Sequence, residues 1–393
     1  MSFQLIGRSE DLRALLEEGF SLEIRSNHLL VHDVPYVKPN GGIGRGTLVS
    51  TLNHAGGTTR APEVHTAFWI GEFPSKAKGG FIDILGSPGG THLIEPGMSA
   101  DHTFSRKPVP SGAYRDYHEK ITTYVAIIEE QAHQIDPKVT AKTHKAFRLA
   151  ETESVFYYAD TGASGTGTGA ISKKLESERV GIVGLGGTGS YVLDFVAKTP
   201  VAEIHLFEGD VFDGHSAFRS PGAASVEELD QAPTKVTRLE QIYSRMRRKI
   251  IPHEGFLTKE GLNALDQLSF VFVCIDRGEA KRSIVGYLLE KGIGFVNVGL
   301  GLYINDETLG GLVRTTICPP TFHAHALTRI EFTDGQNNEY AKNIQIAEMN
   351  ALNAALAVIH WKKIRGFYAD PGRERFVSYS VTSNEIVNDD FEP

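Results

Sequence analysis

The strongest constraint on the fold is a short apolar run that leads directly into a glycine-rich turn and then into a helical stretch. Arg179–Val183 (RVGIV) precedes GLGGTG at residues 184–189, and helical periodicity begins near Ser190. Glycines let the backbone approach a phosphate closely, and a helix N-terminus offers unpaired N–H groups to an anion. Glu208 ends the next predicted strand, where a carboxylate can accept hydrogen bonds from ribose hydroxyls. This context predicts a nucleotide-binding turn; the alternative is a turn whose glycines serve only helix–sheet packing.

Apolar, β-branched runs alternate with helical stretches over the C-terminal half of the chain. They lie at Glu203–Phe207, Ser269–Ile275 and Gly294–Val298, and the alternation predicts a parallel sheet with helices on both faces. Thr308–Ile317 alternates in polarity and predicts an antiparallel strand added to that sheet, while Ile344–Arg365 has the periodicity of one long helix. The predicted fold class is therefore α/β, with a Rossmann-like, doubly wound and mostly parallel sheet.

The N-terminal part predicts a smaller α+β domain, in which a helix precedes a strand meander and further helices. Gly/Pro-rich turns separate the strands, and apolar residues three or four apart indicate the helices. The predicted strands are Leu29–Val37, Ala67–Phe73 and Gly80–Leu85, and the predicted later helices are Tyr114–His133 and Pro137–Glu151.

A break in composition separates these two parts. Residues 161–170 consist only of Gly, Ala, Ser and Thr, so they have no apolar face to bury and are predicted to form a flexible linker. The predicted organisation is an N-terminal domain at residues 1–160, a linker at 161–170 and a C-terminal domain at 171–393.

Charge and cysteine content exclude several classes of protein. The chain has 40 Lys and Arg against 48 Asp and Glu, and a mildly acidic surface argues against nucleic acid as a partner. Its two cysteines, Cys274 and Cys318, cannot form a disulfide framework or a four-thiolate zinc site, so a cytoplasmic location is expected. No signal peptide is recognised, and no apolar run reaches the roughly 20 residues that span a bilayer. No membrane association is expected.

Three charged residues follow the glycine turn at places that suit a triphosphate better than a dinucleotide. Arg219 lies in GDVFDGHSAFRSPG, Lys235 lies in APTKV, and Asp276 ends the apolar strand SFVFVCID. Two cations can neutralise β- and γ-phosphates, and a carboxylate at a strand end can hold the magnesium ion that accompanies a triphosphate. The plainer alternatives are solvated surface charges for Arg219 and Lys235, and a helix cap for Asp276.

Four motifs therefore stand in sequence: GIVGLGGTGS, HLFEGDVFDGHSAFRSPG, APTKV and VFVCIDRGEAKR. In order and spacing they resemble the ThiF/MoeB-type adenylyltransferases and the ubiquitin-activating enzymes, over roughly residues 175–365. The resemblance implies a ThiF-type adenylation domain that binds ATP with Mg²⁺. In that family AMP is joined to the C-terminal carboxylate of a ubiquitin-like or sulfur-carrier protein, and pyrophosphate leaves. The resemblance also implies a homodimer.

The resemblance assigns roles to residues that match its motifs. The implied nucleotide-binding residues are Gly184, Gly186, Gly187, Gly189, Glu208, Asp210 and Ser216, and the implied catalytic residues are Arg219, Lys235 and Asp276, with Asp276 also as the magnesium ligand. Ser216 stands where the family usually has asparagine, so one donor of an amide is missing. An arginine-containing segment that often precedes the first strand is replaced by the glycine-rich linker. Whether an arginine acts in trans is left open.

The route after adenylation depends on an acceptor. Ubiquitin-activating enzymes usually carry a cysteine in the segment before the long helix, but Pro319–Asn343 contains none. Three routes remain: direct hand-off of the adenylate, an oxyester on Thr321 or Thr328, or use of Cys318. Cys318 follows a β-rich apolar run, which favours a buried structural role.

The N-terminal domain resembles the ubiquitin-conjugating fold, as in some bacterial relatives of activating enzymes. Residues 1–273 contain no cysteine, so this domain cannot carry a thioester and is expected to be a docking module. The predicted function is activation of a ubiquitin-like protein with a free C-terminus in a bacterial ubiquitination-like pathway. A separate ubiquitin-conjugating-like enzyme is expected as a further partner.

Three other functions remain as alternatives. A sulfur-carrier adenylyltransferase of cofactor biosynthesis shares the chemistry, although the extra N-terminal domain weighs against it. A nicotinamide-dependent oxidoreductase needs only the glycine turn and Glu208, but Arg219, Lys235 and Asp276 weigh against it. A nucleotide-binding pseudoenzyme scaffold is consistent with Ser216 and with the missing thiol.

Overall fold

The computed structural model describes residues 2–149, 151–152, 154–162, 168–332 and 344–392. They form two compact units, one from residues 1–153 and 158–169 and the other from residues 154–157 and 170–393. Each unit has its own hydrophobic core. Residues 163–167 of the predicted linker and residues 333–343 of the segment before the long helix lie outside the described residues.

An antiparallel sheet forms the centre of the first unit. It has five strands in the order β1-β2-β3-β6-β9, and two short hairpins, β4-β5 and β7-β8, accompany it. The strands are β1 (Ser21–Arg25), β2 (His28–Val37), β3 (Ile43–Thr51), β4 (His54–Ala55), β5 (Thr58–Thr59), β6 (Thr66–Ile70), β7 (His92–Glu95), β8 (Met98–Ala100) and β9 (His102–Ser105).

Among its described residues, the first unit also has the α-helices α1 (Ser2–Arg8), α2 (Glu10–Glu17) and α3 (Tyr117–His133), and a short 3₁₀ helix at Asp83–Leu85. The sequence of α3 explains both its start and its buried face. The Asp116 carboxylate accepts a hydrogen bond from the Glu119 N–H, which caps the N-terminus. Apolar residues from Tyr117 to Ile128 recur at helical spacing and lie in the core. The prediction of a smaller α+β domain in the N-terminal part is confirmed, because this unit combines an antiparallel sheet with separate helices.

Two predicted elements of this unit are wrong. Gly80–Leu85 is not a strand, because its last three residues form the 3₁₀ helix. Pro137–Glu151 contains no helix among its described residues. Local hydrogen bonds compete with the helix there: the Lys138 N–H donates to the Asp136 carboxylate, and the Lys142 N–H donates to the Thr140 hydroxyl.

The second unit is built on an eight-stranded sheet in the order β12-β11-β10-β13-β14-β15-β16-β17. The first five strands of this order run parallel, and β15, β16 and β17 are added antiparallel. The strands are β10 (Arg179–Val183), β11 (Glu203–Glu208), β12 (Ile250–Glu254), β13 (Phe270–Val273), β14 (Gly294–Asn305), β15 (Thr308–Cys318), β16 (Glu374–Ser380) and β17 (Glu385–Phe391).

Helices cover both faces of this sheet, as predicted. From residue 169 onward they are α4 (Gly169–Ser172), α5 (Gly187–Ala197), α6 (Gly214–Ala217), α7 (Val226–Asp230), α8 (Lys235–Tyr243), α9 (Gly278–Lys291), α10 (Ala326–Arg329) and α11 (Ala347–Ile364), with 3₁₀ helices at Lys173–Leu175 and Lys259–Leu265. The second unit has separate hydrophobic clusters on its sheet. Leu193 of α5 and Trp361 of α11 pack in one of these clusters, and Ile284 of α9 packs in another. The predicted doubly wound, mostly parallel α/β fold is confirmed. None of the helices in the described part of the chain is long and apolar enough to cross a membrane.

Candidate active site

Two turn glycines between β10 and α5 are required by close packing. Gly184 has φ = +90°, and a β-carbon on it would lie 2.7 Å from the Cys274 carbonyl oxygen. A β-carbon on Gly189 would overlap the carbonyl oxygen of Gly184. At these two positions the packing explanation for glycine therefore suffices.

Gly186 differs, because packing does not explain it. It is the N-cap residue of α5, and no atom lies within 4 Å of the place where its β-carbon would be. The open space lies in front of the first turn of α5, whose backbone N–H groups have no partner within the helix. An anion placed there would receive these N–H groups and the positive end of the helix dipole. The turn therefore offers a cradle of the kind that a phosphate fills.

Glu208, at the end of β11, organises the backbone beside this turn. Its Oε2 accepts a hydrogen bond from the Leu185 N–H at 2.9 Å. Its Oε1 accepts from the N–H groups of Gly209 and Asp210, at 2.8 and 3.1 Å. A carboxylate has about four acceptor positions, so these three bonds leave one for a ligand hydroxyl.

Two cations line the same cleft, and one of them contacts these carboxylates. Lys235, the first residue of α8, is only 4% exposed. Its Nζ lies 3.0 Å from Asp210 Oδ2 and 3.9 Å from Glu208 Oε2. Arg219 has its Nε buried without a hydrogen-bond partner in the described part of the chain. Arg219 as a whole is partly buried, and the unfilled donor at its buried Nε indicates that a ligand acceptor belongs beside it.

Asp276 lies just beyond the end of β13, exposed at the C-terminal edge of the sheet. The described residues contain no group of three or more His, Cys, Asp and Glu side chains that could hold a metal ion. Magnesium is usually held by one or two carboxylates together with substrate phosphates and water. Asp276 therefore fits a magnesium ion that arrives with a triphosphate, rather than a site formed by protein ligands alone.

One cleft of roughly 600 Å³ brings most of the predicted residues together. The predicted residues that line it are Gly184, Gly186, Gly187, Glu208, Asp210, Arg219, Lys235 and Asp276. Gly189 is buried in the turn beneath it, and Ser216 is not among the lining residues either. The Ser216 backbone N–H donates to Asp213 Oδ1 and caps a short helix.

Three further residues of the cleft could not be predicted from the sequence motifs. Phe256 and Arg277 follow β12 and β13, and the Arg277 guanidinium lies 4.5 Å from the centroid of the Phe256 ring. Asn297, on β14, is 5% exposed, and its Oδ1 is buried without a partner. The only signal for Arg277 was its place next to Asp276 at a strand end, and Phe256 follows a strand that was not predicted.

Neither thiol is a ready nucleophile. Burial raises the pKa of Cys274 to about 12 and raises the pKa of Cys318 still further. Cys318 is 1% exposed, and its Sγ lies 3.9 Å from His325 Nε2. Because the thiolate is the reactive form, these shifts suppress attack by either sulfur.

The two candidate hydroxyls are more accessible than the thiols. Thr321 is exposed, and its hydroxyl donates to Glu392 Oε1 at 3.1 Å. Thr328 is exposed, and its hydroxyl donates to the His325 carbonyl oxygen at 2.8 Å. Neither residue lines the cleft.

Two family models match the chain. The ThiF family model matches residues 159–385. A second model, described as a domain of unknown function (DUF6791), matches residues 10–161. A comparison with curated proteins found no match.

Several solved structures resemble part of the chain. One of E. coli MccB with MccA-N7isoASN is 16% identical, covers 56% of this chain and 66% of its own, and has a TM-score of 0.45. One of E. coli MccB with ATP is 17% identical, covers 58% and 68%, and has a TM-score of 0.45. One of selenomethionine PaaA is 15% identical, covers 57% and 76%, and has a TM-score of 0.43. The chain thus spans slightly less than two thirds of the first of these proteins.

Proposed function

This chain belongs to the ThiF family through residues 159–385, and on that premise we propose that it activates the C-terminal carboxylate of a ubiquitin-like protein by ATP-dependent adenylation. The main support is the cleft, which places the open Gly186 cradle, the Glu208 carboxylate and two cations around one space. Each part matches one part of ATP. The cradle suits phosphate, the remaining acceptor of Glu208 suits ribose, and Lys235 and Arg219 suit the triphosphate charge.

The reaction joins two anions, a carboxylate and a triphosphate, which repel each other. The positively charged side chains of the cleft reduce this repulsion. A carboxylate oxygen of the acyl substrate attacks the α-phosphorus, the bond from that phosphorus to the β-phosphate oxygen breaks, and pyrophosphate leaves. Lys235 and Arg219 stabilise the negative charge that grows on the phosphates. Lys235 Nζ lies 3.0 Å from Asp210 Oδ2 and 3.9 Å from Glu208 Oε2, and Lys235 lines the cleft in which the phosphates would lie. Magnesium held by Asp276 would neutralise the leaving pyrophosphate.

The acyl-adenylate then passes to an acceptor, and direct hand-off is the route we favour. The raised thiol pKa values speak against Cys318. Thr321 and Thr328 have hydroxyls that are hydrogen-bonded to their surroundings and lie outside the cleft lining. With direct hand-off, no covalent intermediate forms on this chain.

The first unit is the part that we assign to docking. We interpret residues 1–160 as a catalytically inactive, ubiquitin-conjugating-like module, followed by a linker at 161–170. The lack of cysteine in residues 1–273 supports a non-catalytic role. A homodimer, a cytoplasmic bacterial setting and a separate conjugating-like enzyme complete the proposal.

The test is ATP–pyrophosphate exchange with magnesium and each ubiquitin-like protein encoded beside the gene. Exchange should require a free C-terminal carboxylate and should fall about 100-fold or more in Lys235→Ala and Asp276→Asn. Lys198→Ala is a matched control, because Lys198 pairs with Asp194 on the surface away from the cleft lining. Exchange that survives in Lys235→Ala would remove Lys235 from the reaction. Nucleotide binding without exchange for any partner would favour the scaffold alternative, and exchange only with a sulfur-carrier protein would favour cofactor biosynthesis.

A further inference from the structure

A stacked aromatic–guanidinium pair lies at the cleft and has no part in the reaction described above. Phe256 belongs to the loop after β12, and Arg277 belongs to the loop after β13. In the sheet, β11 and β10 lie between these two strands, so the strand ends are about 14 Å apart at the usual strand spacing. The guanidinium nevertheless lies 4.5 Å from the ring centroid. The two side chains therefore converge above the ends of β11 and β10.

Both side chains of this pair are exposed. Phe256 is 52% exposed. In the described part of the chain, the Arg277 side chain makes no hydrogen bond and no ion pair, and its one contact of this kind is the Phe256 ring. A guanidinium is planar and weakly hydrated, so it can stack on one ring while its other face stays open to a second planar group.

Gly209 fixes the position of the ring beside the proposed ribose site. A β-carbon on Gly209 would lie 3.0 Å from three atoms of the Phe256 ring, so the absence of a side chain lets the ring lie close to the backbone. The Gly209 N–H itself donates to Glu208 Oε1. The Phe256 ring therefore packs against Gly209, whose N–H donates to the Glu208 carboxylate.

The order of groups in a nucleotide places its base at this pair. Phosphates at the Gly186 cradle and ribose at Glu208 define a direction, and the base follows ribose by one glycosidic bond. The next structure in that direction is Gly209 with the Phe256 ring on it. Resting on the proposed function, we infer that Arg277 and Phe256 form the platform for the nucleobase. The base stacks on the open face of the guanidinium, and Phe256 holds that guanidinium flat.

The rival role for Arg277 is an ion pair with phosphate, since it follows Asp276 in the chain. Binding of two probes separates these roles, because ATP has a base and inorganic tripolyphosphate does not. Isothermal titration of the full chain with each probe, in magnesium, gives both affinities. Thermal melting of each variant checks that it is folded.

Arg277→Ala, Arg277→Lys and Phe256→Ala should each weaken ATP binding about 5- to 100-fold, in line with the stacking of a single base. None should change tripolyphosphate binding by more than about 2-fold. Arg277→Lys is the decisive variant, because it keeps the charge and loses the plane. The double variant Phe256→Ala/Arg277→Ala should resemble the weaker-binding single variant, because the two side chains act as one unit.

Three results would overturn this inference. The first is equal weakening of ATP and tripolyphosphate binding by Arg277→Ala, which would place Arg277 on the phosphates. The second is ATP binding by Arg277→Lys at the wild-type affinity, and the third is an unchanged ATP affinity in all variants. If the unmodified chain binds no ATP at all, the proposed function fails, and the platform fails with it. Loss of ATP affinity in the variants while exchange activity is absent would instead keep the platform and reject adenylation.

Discussion

At the scale of single residues, His360 links stability to pH. It is 4% exposed in α11, its Nδ1 has no partner in the described part of the chain, and burial lowers its pKa to about 4. An unfolded histidine has a pKa near 6.5. Between these values the unfolded chain binds the proton more readily, so stability falls as the pH drops from about 6.5 to about 4. The full loss from this group is about 3 kcal/mol, at about 1.4 kcal/mol per pKa unit.

His360→Leu should therefore stabilise α11 most at acid pH. Hydrogen exchange of peptides from α11, at pH 7 and pH 5 and corrected for intrinsic rates, measures the effect. The variant should exchange more slowly than the unmodified chain at pH 5, and the difference should be smaller at pH 7. An identical pH dependence in both proteins would show that His360 is not the responsible group.

Asn297 gives a second prediction at the residue scale. Its buried Oδ1 lacks a partner in the described part of the chain, and an unsatisfied buried acceptor costs about 1–3 kcal/mol. Asn297→Leu has a similar shape and should raise the free energy of unfolding by about 1 kcal/mol. Thr315→Val is the matched control, because the Thr315 hydroxyl donates to Asn353 Oδ1 at 3.2 Å and its loss should lower stability. A destabilised Asn297→Leu would mean that the amide is satisfied in solution.

At the scale of elements, the turn between β10 and α5 separates packing from binding. Gly186→Ala meets open space, so the fold should persist while the phosphate cradle is partly filled. ATP binding should weaken about 10-fold or more, with a melting temperature within a few degrees of the unmodified chain. Gly189→Ala would overlap the Gly184 carbonyl oxygen and should destabilise the second unit by several kcal/mol, as expected of overpacking.

Titration calorimetry and thermal melting of the two glycine variants decide between these effects. Unchanged ATP affinity in Gly186→Ala would mean that the cradle is not occupied by phosphate. A stable Gly189→Ala would contradict the packing of this turn.

The parallel core was predictable because buried strands of such sheets are continuous apolar runs. Arg179–Val183 was predicted with the bounds that β10 has. By contrast, β12 was missed, because Pro252 and His253 interrupt its apolar pattern. Proline is tolerated there since β12 is an edge strand. The false helix at Pro137–Glu151 had suitable periodicity, but side chains such as Asp136 bind the local backbone instead.

Much of the cleft could be predicted for a related reason. Residues at the carboxyl ends of parallel strands meet at one edge of the sheet, so Glu208 and Asp276 could be grouped without coordinates. Lys235 was placed with them through its motif and the family resemblance. The Phe256–Arg277 stack could not, because it joins loops from strands that are not neighbours. The unpaired oxygen of Asn297 is likewise visible only when all its neighbours are known.

At the scale of the whole molecule, the two units divide the proposed work. The second unit holds the cleft and every residue assigned to adenylation. The first unit is matched by a different family model. It contains no cysteine, because the first cysteine of the chain is Cys274. We therefore assign the proposed adenylation to the second unit and the binding of the partner protein to the first unit.

Activation by adenylation requires that an acyl-adenylate form on this chain, and hydroxylamine traps such an intermediate as a hydroxamate. The protein is incubated with ATP, magnesium, a ubiquitin-like protein encoded beside its gene, and hydroxylamine, and the C-terminus of that protein is analysed by mass spectrometry. A C-terminal hydroxamate that requires ATP and is absent with Lys235→Ala is the predicted result. An unmodified C-terminus for every such protein, with ATP bound and the chain folded, would show that this chain does not adenylate them.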